Sequence, residues 1–92
     1  MSYVKTKNGK RYNMARIIDG EYMNLIGENM KKYRKSKKMS QQALSNQLEL
    51  KGVYVCRGSV SRIEERSRTV TDIELHAIAE VLGITVEKLF EQ

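Results

Sequence analysis

From about Met23 onward, the apolar residues of this 92-residue chain fall into helical spacing. Ile26, Met30 and Tyr33 recur at intervals of four and three, which predicts a first helix ending near Lys38, with Tyr33 in the core. Ser40 stands where an N-cap belongs, and Leu44 and Leu48 predict a second helix over about residues 41–49. Ser45, beside Leu44, is small enough for another helix to cross closely. The run LKGVYVC, residues 50–56, contains Gly52 and is too brief for an element of its own, so it reads as a connection. Val60 and Ile63 then mark the buried side of a third helix over about residues 57–65. Thr71 and Glu74 form a capping box for a fourth helix, whose buried stripe is Leu75, Ile78, Ala79 and Leu82 and whose end is Gly83. A last short helix begins after Thr85, with Val86, Leu89 and Phe90 turned inward. Five helices with short links predict an all-α domain around one small core.

Residues 1–22 differ in character. They lack sustained helical periodicity and carry Asn8-Gly9, a strong hairpin signal, so a loose basic arm or a small β-hairpin both fit. The chain therefore divides into an N-terminal arm or hairpin, residues 1–22, and a helical domain, residues 23–92.

Charge sharpens this picture. Lys and Arg number 17 against 11 Asp and Glu, a net charge of +6. Residues 72–92 hold five acidic residues against Lys88 alone, so the basic excess lies entirely in residues 1–71. A basic front with an acidic back points to a polyanion approached from one side, nucleic acid ahead of membrane. No run of about 18 apolar residues is present and the N-terminus lacks an apolar secretory stretch, which leads us to expect a cytoplasmic protein. Cys56 and His76 are the sole cysteine and histidine, too few for an internal disulfide or a thiolate-rich zinc site. No catalytic set converges, so we expect no enzyme, no metal and no cofactor.

The exposed side of the third helix carries Arg57, Gly58, Ser61 and Arg62, where a merely solvated face usually carries paired Glu and Lys. The run KKYRKSKK holds six basic residues in eight, so Lys37 and Lys38 either contact phosphate or simply suit the helix C-terminal dipole. Arg66 and Arg68, just past the third helix, pose the same choice, with a place beside a nucleic-acid backbone favoured. Cys56 falls in the N-cap region of the third helix and His76 on the exposed edge of the fourth.

Read in order, IGENMKKYRKSKKMSQQALSNQL, CRGSVSRIEE and TDIELHAIAEVLGITVEKLF resemble the helix-turn-helix domains of the XRE family, which includes the Cro and lambda-type phage repressors. The resemblance covers about residues 25–90 and all five helices. It departs at LELKGVYVC, longer than the usual link between the second and third helices, at Ser45 in place of alanine, and at Arg66 in place of a glycine. It implies a third helix in the major groove and a second lying across the DNA backbone. Arg57, Gly58, Ser61 and Arg62 would then face base edges and Gln41 a phosphate. Arg34 and Glu64 would form a structural ion pair. Each arginine of the third helix can fork onto the two acceptors of guanine, and Gly58 would let another group approach closely. The function so implied is a sequence-specific DNA-binding transcriptional regulator, a dimeric repressor that occupies its operator. The alternatives are an antitoxin or other module with a small protein partner, and RNA binding through Tyr3, Tyr12, Tyr22 and Tyr54.

Overall fold

The computed structural model describes residues 22–92 together with two short strands before them, β1 (Tyr3–Lys5) and β2 (Arg11–Asn13). These pair antiparallel, with Val4 opposite Tyr12. The Asn8-Gly9 turn and the side chains of Tyr3 and Tyr12 lie outside the described residues.

Five helices follow: α1 (Gly27–Ser36), α2 (Gln41–Leu50), α3 (Arg57–Glu64), α4 (Asp72–Leu82) and α5 (Val86–Leu89). Met30, Leu44, Leu48, Val60, Ile63, Ile78, Leu82 and Leu89 are fully buried and draw all five into one core. Truncating any of the larger ones to alanine removes about 2–5 kcal/mol. The N-caps of α2 and α4 are those expected: Ser40 accepts from the Ala43 N–H, and Thr71 and Glu74 close a reciprocal capping box.

The C-termini share a device that apolar spacing does not reveal. The first four helices all end with a left-handed residue, at Lys38, Gly52, Arg66 and Gly83, with φ of 57°, 80°, 63° and 69°. Behind each, the same two hydrogen bonds satisfy terminal carbonyls, as in Met39 N–H to Arg34 O and Lys38 N–H to Lys35 O after α1. Glycine takes this conformation at no cost, whereas Lys38 and Arg66 hold it against a steric penalty.

Three sequence expectations need correction. The first helix begins at Gly27 rather than near Met23, because Asn24 folds in and its Oδ1 accepts from the N–H groups of Ile26 and Gly27. The Asn24 amide also donates to Ile63 O and Arg68 O, tying the start of α1 to the turn after α3. A Cβ on Gly27 would overlap the Ile63 carbonyl oxygen, so glycine is what allows α1 to cross α3 this closely. Phe90 is exposed rather than inward, since α5 is only one turn long and Leu89 takes its buried side. Tyr33 is half-buried at the core margin, with the Lys32 ammonium 5.5 Å from its ring centroid.

Candidate nucleic-acid interface

The long connection before α3 is anchored rather than loose. Gly52 turns the chain, Val55 enters the core, and Ser45 Oγ donates to the Val55 carbonyl at 2.7 Å. Cys56 then takes the extended N-cap conformation, with Val60 and Ile63 buried beneath α3. The extra residues are absorbed in the link, and α3 remains fixed against α2. Its opposite side presents Arg57 and Arg62 exposed to solvent, with Gly58 and Ser61 partly so. A cleft between α2 and the start of α3 brings Gln42, Asn46 and Tyr54 beside Arg57 and Gly58.

Gly58 is not required by the fold. A Cβ there would meet Arg62 Nη1 at 3.7 Å and Cys56 Sγ at 4.0 Å, ordinary contact distances, and its φ is not left-handed. Any close approach it serves comes from outside the chain.

Hydrogen bonding separates the arginines into two groups. Arg34 is buried and forks onto Glu64, with Nε to Oε2 at 2.6 Å and Nη2 to Oε1 at 3.0 Å, while Nη1 donates to Met39 O. This is the pair that the family resemblance implies, and Gln41 joins it through Nε2 to Glu64 Oε1 at 3.1 Å. Arg66 stacks its guanidinium 3.8 Å from the Tyr22 ring centroid, donates to Asn24 O and pairs with Glu28. Arg68 forks onto Glu74, with Nη2 to Oε2 at 2.8 Å. The bonded Arg68 holds the Glu74 carboxyl below the usual range, helped by the Thr71 N–H. Within residues 22–92, Arg57 and Arg62 are the arginines without a carboxylate partner. Both lie on the exposed side of α3.

The remaining candidates are placed as follows. Lys37 and Lys38 are exposed at the end of α1. Ser61 donates to Glu65 Oε1 at 3.3 Å, which sets an anion beside the basic face. Tyr54 is exposed, whereas the Tyr22 ring is occupied by Arg66. His76 is exposed on α4, 3.5 Å from Glu80. Cys56 is exposed, and its thiol is held below the ordinary range by the Ser59 hydroxyl first and by the Ser59 and Gly58 N–H groups, with Arg62 contributing. The hydroxyl and N–H groups at the start of the helix outweigh the nearby cation in this effect. Asn24 and Ser59 had no part in the sequence expectations, and Tyr22, offered there as an aromatic for RNA, stacks on Arg66 instead. Ser59 alone had a signal, its spacing of three from Arg62 on one helix. Among the described residues no helix is long and apolar enough to cross a membrane, and no cluster of His, Cys, Asp or Glu could hold a metal ion.

A family profile described as helix-turn-helix matches residues 30–89. The chain belongs to this family, the XRE-type helix-turn-helix proteins, which are DNA-binding transcription regulators and not enzymes. Among solved structures it is similar to the master regulator for biofilm formation SinR in complex with DNA, at 30% identity and a TM-score of 0.62, over 72% of this chain and 98% of that one. It is also similar to the restriction-modification controller protein C.AhdI from Aeromonas hydrophila, at 28% identity and a TM-score of 0.60, over 71% of this chain and 87% of that one. A SinR/SinI protein complex matches at 31% identity and a TM-score of 0.60, over 73% of this chain and 61% of that one. No curated protein matches.

Proposed function

We propose that this protein is a cytoplasmic transcription repressor that acts as a homodimer, occupying its operator with α3 in the major groove. The observation that supports this reading is the sorting of the five arginines within residues 22–92: three are tied to carboxylates, and the two left without one share the exposed side of α3. Arg57 and Arg62 each read a guanine, Ser61 adds a contact, and the bare backbone at Gly58 admits the DNA surface. Lys37 and Lys38 hold phosphates, as does Gln41 at the start of α2. Arg66 and Arg68, already bonded to Glu28 and Glu74, add net charge beside the backbone and less direct contact. Residues 1–22, apart from the helical domain of residues 23–92, bring five further cations against Asp19 and Glu21.

Selection of bound fragments from random duplex DNA tests the reading. It predicts two guanine-containing half-sites about one helical turn apart, roughly 10 base pairs. A bound pool as random as the input contradicts it.

A second reading adds a small protein partner to the same DNA-binding surface. It is favoured by the likeness to SinR in a protein complex and by the exposed apolar side chain of Ile73 on α4. A small protein copurifying in fixed ratio would support it.

A further inference from the structure

Ser59, the third residue of α3, is half-buried and lies between the two exposed arginines in sequence. Its hydroxyl accepts from Arg62 Nη2 at 3.1 Å. Arg62 Nη1 lies 3.7 Å from where a Cβ of Gly58 would be. Together these distances lay the guanidinium back over the first turn of the helix, the direction in which helical side chains lean. Cys56 Sγ, 3.5 Å away, lies against the same hydroxyl.

No salt bridge joins Arg62 to Glu65. Glu65 stands three residues on, a spacing at which helical ion pairs form, yet its carboxylate accepts from Ser61. Arg62 therefore keeps its charge uncompensated. One of its N–H groups is taken by Ser59, and the others are available for guanine O6 and N7. A long side chain that is already held loses less freedom when it docks on a base.

We infer that Ser59 is a positioning residue for Arg62, holding its guanidinium in the pose that selects guanine at one operator position. The inference rests on Arg62 reading a base, and its test separates the two claims.

The experiment measures binding of full-length wild-type, Ser59→Ala, Ser59→Thr, Arg62→Ala and the Ser59→Ala/Arg62→Ala double variant. The probes are the selected duplex and its single-base variants, with circular dichroism confirming that each protein is folded. Arg62→Ala reduces guanine discrimination at one position by about 5- to 150-fold. Ser59→Ala reduces it at that same position by about 3- to 10-fold, the worth of one hydrogen bond, with an unchanged salt slope because no charge is lost. Ser59→Thr restores the hydroxyl and the discrimination, and the double variant loses no more than Arg62→Ala alone. Full discrimination in Ser59→Ala, or losses that add in the double variant, would overturn the positioning role. Full discrimination in Arg62→Ala would overturn the base reading beneath it.

Discussion

Arg34 and Glu64, thirty residues apart in sequence, meet in the interior as a two-pronged ion pair that bolts the end of α1 to the end of α3. Gln41 Nε2 and the Met39 carbonyl complete their hydrogen bonding, so both charges are buried yet satisfied. Removing one partner strands the other. Arg34→Ala is expected to cost about 3–5 kcal/mol in urea unfolding, whereas replacing both residues by apolar ones costs far less. Additive losses would show that the two residues are uncoupled.

Lys38 and Arg66 occupy the same left-handed position after their helices, yet the same substitution is expected to act oppositely on them. Lys38 is exposed and no hydrogen bond of its side chain offsets the steric penalty, so Lys38→Gly stabilises the fold by up to about 1 kcal/mol. Arg66 gains the Tyr22 ring, the Asn24 carbonyl and Glu28. Arg66→Gly therefore destabilises by roughly 1 kcal/mol, lost contacts exceeding relieved strain. Urea midpoints decide the signs, and a gain at both sites would refute the part given to Tyr22.

These pairs also show what could be read from the chain. Period and caps placed α2, α3 and α4 to within a residue or so, because Leu44, Leu48, Val60, Ile63, Ile78 and Leu82 are buried on single helix faces. The exposed side of α3 followed as the complement of Val60 and Ile63. What escaped was held by groups distant in sequence. Asn24 caps α1 while donating to residues near 63 and 68, and Arg66 stacks on Tyr22, forty-four residues before it. No local pattern encodes such contacts. For the same reason, three arginines bonded within the fold and two free of carboxylates look alike as letters.

Glu74 gives the acid limb of stability a specific source. Its carboxyl is depressed in the folded chain by the bond from Arg68 and by the Thr71 N–H. A depressed carboxyl contributes stability that is present above the unfolded-state value, about 4.3, and is lost as pH falls through the folded value. Glu74→Gln keeps the capping length and removes the charge. Its stability at pH 7 should be lower than wild type, and the gap should close between about pH 5 and the folded value as wild type loses its advantage. A gap of constant size over that range would exclude Glu74 as the source.

Cys56 reports on which side of α3 meets DNA. Its thiol is exposed at the helix start and lies below the ordinary range because the Ser59 hydroxyl favours the thiolate. It should react with a maleimide faster than a free cysteine near neutral pH, and the selected duplex should protect it. Mass spectrometry of the adduct with and without duplex checks this. Equal labelling would place the start of α3 away from the DNA.

The central claim is that the exposed side of α3 reads bases while the end of α1 holds phosphates. Fluorescence anisotropy of Arg57→Ala and Lys38→Ala, each on the selected duplex and on a scrambled one, tests it most directly. Arg57→Ala should lose about 1–3 kcal/mol on the selected duplex and much less on the scrambled one, relaxing preference at a single position. Lys38→Ala should weaken both alike and reduce the salt slope by about one unit. Equal losses on the two duplexes for Arg57→Ala would contradict the claim.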